Sequence, residues 1–177
     1  MVVAKPLAGG LPLGAILARE EFAAAFSPGL HGTTFGGGPL VCATALEFLT
    51  IVEEEKLLAH VRARGAELRA GLIQLAAKFN FVRELRGEGL LLGLELSVEG
   101  APYVAEALRR GLVINCTHDY TLRFLPPFVI TARHVQEFLT KLEIVFAKTK
   151  RPAEKPSAHP SAAHTESARQ FAQAASR

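Results

Sequence analysis

Apolar residues in the first fifty positions come in short bursts. Val2-Val3-Ala4 reads as a strand, after which Gly9, Gly10, Pro12 and Gly14 break the chain into tight turns. Leu13 to Ala18 is a second short apolar strand, closed by Arg19-Glu20-Glu21. A glycine-rich stretch, His31-Gly32-Thr33-Thr34-Phe35-Gly36-Gly37-Gly38, leads into Pro39. Proline suits a first helical turn because its missing N–H would have had no partner there. The helix it opens is expected to run to about Val52, with Val41, Ala45, Phe48 and Leu49 on one face.

A second helix follows, in which Leu58, Val61, Leu68, Leu72 and Leu75 recur at three- and four-residue steps, one contact being skipped at Gly65. After Asn80 the period changes. Phe81 to Leu85 and Leu90 to Leu96 read as strands separated by Arg86-Gly87-Glu88-Gly89. Pro102 to Arg110 is a short helix stopped by Gly111, and Leu112 to Asn115 and Thr121 to Leu125 are two more strands. The last helix starts from Thr131 as N-cap, with Val135, Phe138, Leu139, Leu142, Val145 and Phe146 as its apolar stripe. The fold class is therefore α/β passing into α+β. Residues 1–52 read as the closing piece of something larger, residues 53–147 as a small α+β domain. Residues 148–177, half of them Ala, Ser or Pro, read as a disordered tail that has too little apolar surface to offset its ordering entropy.

Charge removes one class of function. The net charge of +3 suggests nucleic acid, but residues 148–177 hold six cations against two glutamates, a net +4, which leaves −1 for the rest. The folded part has no overall pull on phosphate backbones, and no nucleic-acid partner is expected. Cys42 and Cys116 make neither a disulfide framework nor a zinc site and read as inert buried thiols. Glu53-Glu54-Glu55 has no histidine one turn away, so no metal is expected. The glycine strings lack the Lys-Ser/Thr ending of a nucleotide loop. His118-Asp119 reads as a turn and His31 as a loop-shaping residue. With neither a membrane span nor a leader, a cytoplasmic location follows.

Lys5 is the residue with chemistry. A lysine at the end of an apolar strand, before a glycine turn, reads by itself as an ordinary surface residue, although at the mouth of a sheet partial desolvation would favour the neutral amine that attacks an aldehyde; the string around it decides between the two. The string Ala4-Lys5-Pro6-Leu7-Ala8-Gly9-Gly10-Leu11-Pro12-Leu13-Gly14-Ala15 resembles the lysine segment of the class III (fold-type I) pyridoxal-phosphate-dependent aminotransferases. So does His31-Gly32-Thr33-Thr34-Phe35-Gly36-Gly37 with Pro39-Leu40 and Cys42, although the family ordinarily has asparagine where Gly38 stands. Gly111-Leu112-Val113-Ile114-Asn115-Cys116-Thr117-His118 with Leu122-Arg123-Phe124-Leu125-Pro126-Pro127 is most similar to the acetylornithine/ornithine type.

The resemblance implies that Lys5 is the Schiff-base lysine and proton shuttle. Thr34 would bind the phosphate of pyridoxal 5'-phosphate across a homodimer interface, and Thr33 would touch substrate. Arg123 would hold a carboxylate, the substrate's or a gating glutamate's. The substrates implied are N2-acetylornithine or a related ω-amino donor and 2-oxoglutarate, in arginine biosynthesis. On this reading residues 1–52 end the large cofactor-binding domain and the chain is the C-terminal part of a longer polypeptide. The glycine-rich phosphate loop, the ring-stacking aromatic, the ring-pairing aspartate and a substrate arginine would precede Met1, leaving these 177 residues inactive alone. The alternative is a non-catalytic α+β domain used for dimerisation or binding.

Overall fold

The computed structural model describes residues 1–150. Residues 151–177, which hold nearly all of the segment read as a disordered tail, lie outside the described residues. The chain divides into two compact units, Met1–Leu58 and the residues from Ala59 onward.

In the first unit β1 (Val2–Val3) pairs antiparallel with β2 (Ala15–Ile16), Val2 opposite Ile16 and Val3 opposite Ala15. β2 is shorter than the apolar run 13–18 because β1 offers only two residues to pair with. Between the strands lies one turn of 3-10 helix, Lys5–Ala8. The short helix α1 (Glu20–Ala23) and the longer α2 (Pro39–Glu54) follow. α2 packs on the 3-10 turn through Val41 and Ala45 against Ala8, with Leu7 and Leu13 at the edge. Leu49, expected on that buried face, is 47% exposed.

The second unit is a two-layer α+β sandwich. Its sheet, all antiparallel, runs in the order β3 (Val82–Glu88), β4 (Leu91–Leu96), β6 (Thr121–Phe124), β5 (Asn115–Thr117). Strand residues alternate between faces, so Leu85, Leu92, Leu94, Leu96, Leu122 and Phe124 point one way. The helices α3 (Leu57–Lys78), α4 (Ala101–Arg109) and α5 (Ala132–Lys148) bring Leu68, Leu72, Tyr103, Val135 and Leu142 to the same core. At its end Phe79, Phe81, Tyr103 and Phe146 pack edge to face or tilted, with ring centroids 5.2 to 5.6 Å apart. Among the described residues no helix is long and apolar enough to cross a membrane.

Several element edges differ from the sequence reading, each for a local reason. The strand expected to stop at Leu85 continues to Glu88, pairing Arg86 with Gly93 and Glu88 with Leu91. Only Gly89 and Leu90 are left to turn, and Gly89 supplies the left-handed φ of +54° that a two-residue hairpin needs. β5 begins at Asn115, not Leu112, because the Leu112 N–H closes the end of α4 on the Ala107 carbonyl at 2.9 Å. The α3 stripe is one residue out of phase at its start: Leu58 is 58% exposed and Leu57 is buried. Thr131 caps α5 as expected, accepting the His134 N–H at 3.3 Å, while the His134 ring accepts the Thr131 N–H at 3.1 Å.

Gly65, read as a skipped contact, is itself a contact. A Cβ placed there would lie 2.6 Å from the Gly89 carbonyl oxygen, so α3 crosses the β3–β4 hairpin backbone to backbone. Gly71 faces the tip of Leu139 instead, a side chain that can rotate away. Alanine in a helix gains about 1 kcal/mol over glycine, and overpacking costs about 1–3 kcal/mol where the neighbour cannot yield. Gly65→Ala is therefore expected to lower the urea midpoint and Gly71→Ala to change it little. Equal midpoints for the two variants would show that the hairpin backbone gives way.

Candidate active site

Lys5 is placed by its neighbours. Ala4 is extended, with φ −161°, whereas Lys5 has φ +61°. Left-handed backbone at a non-glycine residue costs about 1–3 kcal/mol and persists only where the surroundings impose it. Here Pro6 starts the 3-10 turn, Gly9 closes it with its N–H on the Pro6 carbonyl at 3.0 Å, and Ala8 is fully buried under α2. The backbone of Lys5 is pinned and its side chain is exposed, with no hydrogen bond or ion pair among the described residues. The partial desolvation expected of a sheet mouth is not found, because β1 is two residues long and, among the described residues, pairs only with β2.

The glycine loop lies in the same unit. Thr33 Oγ1 accepts the Gly36 N–H at 3.3 Å, closing the turn, and Gly37 sits at φ +90°. Thr34 makes no side-chain bond among the described residues and is exposed. Gly38 is the N-cap of α2 and brings no side-chain hydrogen bond to it, so the departure from asparagine leaves the first N–H groups of a 16-residue helix uncapped. α2 thus joins the two pieces. Its start carries the loop, and its buried face holds the turn of Lys5. No hydrogen bond links Lys5 to Thr33 or Thr34.

Arg123 belongs to the second unit, exposed on the outer face of β6. Its Nε donates to the Asn115 side-chain oxygen across the strand pair at 3.2 Å. That contact uses one edge of the guanidinium and leaves the two terminal nitrogens side by side for a bidentate partner. Arg123 also borders an apolar cavity of about 320 Å³ shared with Ile114, Phe124, Pro127, Ile130 and Phe138. Asn115 stands in the 111–118 string with no chemistry that its neighbours in sequence would single out. Its position opposite Arg123 depends on the strand register, which hydrophobic pattern does not reveal.

The other polar candidates take structural places. His118 and Asp119 both have left-handed φ, +49° and +60°, in the β5–β6 turn, and the His118 ring bonds Thr117 Oγ1 at 3.1 Å. Cys42 and Cys116 are free and half-buried. Asp119 is the sole aspartate of the sequence, so the first unit supplies an amine, hydroxyls and helix N–H groups but no aspartate.

The first unit thus carries a lysine in left-handed backbone and a glycine-rich loop at the start of a helix. The class III aminotransferase family model matches residues 1–146, and the chain belongs to that family, whose members depend on pyridoxal phosphate. It is 42% identical over 151 residues to the acetylornithine aminotransferase of Methanocaldococcus jannaschii, covering 85% of this chain and 38% of that one. The Aquifex aeolicus acetylornithine aminotransferase is 46% identical over 142 residues, covering 80% and 36%. In structure the chain is similar to the ornithine aminotransferase of Toxoplasma gondii, with TM-score 0.77, 31% identity and coverage of 84% and 36%. The chain thus spans little more than a third of the length of these relatives. The free amine, the free hydroxyl and the uncapped helix fit the aldehyde and phosphate ends of such a cofactor.

Burial pushes the Cys116 thiol above its ordinary range, helped by the Asp119 and Glu99 charges and opposed by backbone hydrogen bonds from Thr121 and Gly100. Because the folded value is the higher one, the neutral thiol's contribution to stability is complete below the unfolded value of about 8.5. It is lost as pH rises through the folded value. The stability difference between wild type and Cys116→Ala is expected to be flat below about pH 8.5 and to fall above it. A difference that grows with pH in urea titrations would contradict this.

Proposed function

We propose that the protein is a pyridoxal-phosphate-dependent aminotransferase that moves an amino group between N2-acetylornithine and 2-oxoglutarate in arginine biosynthesis. It would work in the cytoplasm as a homodimer whose sites are shared between subunits. The observation that carries the reading is Lys5, held in left-handed backbone with its amine free, inside the residues matched by the family model. The names of the relatives at 42% and 46% identity support the amino donor.

When bound, pyridoxal phosphate supplies an aldehyde that takes up amino groups and a ring that draws electron density from the bond being broken. Lys5 Nζ would hold that aldehyde carbon and, when released from it, act as the base that moves a proton at the substrate carbon. The Thr34 hydroxyl and the N–H groups of Gly37 and Gly38 would hold the phosphate, where a helix N-terminus favours negative charge. Thr33, its hydroxyl committed to Gly36, would present a fixed wall to substrate. Arg123, steadied through Nε by Asn115, would take a substrate carboxylate on its two terminal nitrogens. Phe26, Leu30, Phe35, Leu40 and Leu46 of the first unit, each more than half exposed, support a covered surface on that unit.

In a chain extended to the length of its relatives, borohydride reduction in the presence of pyridoxal phosphate, followed by peptide mapping, is expected to find the label on Lys5 and none after Lys5→Ala. Label concentrated on another lysine would overturn the assignment. Thr34→Val should weaken cofactor retention on dialysis by on the order of ten- to a hundredfold, the worth of one hydrogen bond to a charged group. In a chain extended to the length of its relatives, turnover assays with 2-oxoglutarate are expected to favour N2-acetylornithine over ornithine; the reverse order would change the donor.

A further inference from the structure

Register arranges the outer face of the four-stranded sheet in two cross-strand rows. Arg86, Gly93, Arg123 and Asn115 form one across β3, β4, β6 and β5, and Glu84, Glu95, Thr121 and Thr117 form the other. Glu84 and Glu95 are therefore directly opposite, a like-charge pair that by itself destabilises a sheet. Arg86 settles it. One terminal nitrogen of its guanidinium donates to Glu84 at 3.0 Å and also to Glu95, and the other donates to Thr121 Oγ1 at 3.2 Å.

The same arrangement bears on Arg123. Glu95 is opposite Thr121, two residues before Arg123 on β6, so Glu95 and Arg123 are diagonal neighbours on one face. Diagonal positions lie about 7–8 Å apart, within reach of long side chains. A glutamate that close to an arginine with two free terminal nitrogens is a natural partner for it. Yet the contact is not made: Glu95 is engaged by Arg86, and Arg123 bonds only Asn115 among the described residues. Gly93, between the two arginines in their row, places no side chain in the gap.

We propose that Arg86 is a positioning residue for carboxylate recognition, holding Glu95 away from Arg123 so that the Glu95 carboxylate does not compete with a dicarboxylate substrate. The proposal rests on the reading of Arg123 as the carboxylate-binding residue. Without Arg86, Glu95 becomes an intramolecular competitor whose strength is that of an exposed ion pair. That predicts about two- to sixfold weaker substrate binding.

The test is an NMR titration of the full chain with 2-oxoglutarate, following the Arg123 Nε–Hε signal. Arg86→Gln is expected to weaken binding about two- to sixfold. Glu95→Gln alone should leave binding unchanged, because Glu95 is already occupied. The double variant Arg86→Gln/Glu95→Gln should recover wild-type affinity. Recovery separates competition from damage to the sheet, since a purely structural Arg86 gives no rescue. Arg86→Lys keeps the charge but cannot bridge both carboxylates and Thr121, so a partial loss, again erased by Glu95→Gln, tests the proposal even if Arg86→Gln does not fold. Loss without rescue, or no loss in either Arg86 variant, overturns it. Absence of any shift at Arg123 in the wild-type chain overturns the underlying reading of Arg123 instead.

Discussion

The two-residue alternation of β4 is the constraint on which the second unit depends. Leu92, Leu94 and Leu96 point inward, each 1% exposed or less, and meet α3, α4 and α5. The residues between them, Gly93 and Glu95, are turned to the outer face by the same pleat. A one-residue slip would expose the leucines and bury a carboxylate, so the hydrophobic core enforces the register. Once register is set, every cross-strand neighbour of Arg123 and Arg86 is set with it. Core packing thus decides which charges meet on the opposite face.

The first unit is built on other terms. Its core is Ala8, Val41 and Ala45, small residues that bring a turn close to a helix. Little burial is available to offset the backbone strain at Lys5, yet the local restraints are many. They are Pro6 at the start of the turn, Gly9 at its end and α2 against its buried alanine. The glycine loop before α2 works in the same manner, with Thr33 closing it and Gly38 leaving the helix end bare. Rigid backbone carrying free polar ends is what a ligand-holding segment requires, because a group already committed to the protein has less to offer a ligand.

Much was legible in the order of residues alone. Helical periodicity located α2, α3 and α5, the Thr131 cap and the strands of the β3–β4 hairpin, since these depend on neighbours three, four or two residues away. The family resemblance singled out Lys5, Thr33, Thr34 and Arg123 because each stands in a contiguous string whose spacing is itself the signal. What only the tertiary structure decided was anything that joins distant residues. Gly65 against Gly89, Asn115 against Arg123, and Arg86 against Glu95 and Thr121 are pairings across 8 to 35 positions, fixed by sheet register and helix crossing. No local pattern encodes them. They follow from burying one face of the sheet, a property of the whole fold that no short stretch of chain possesses.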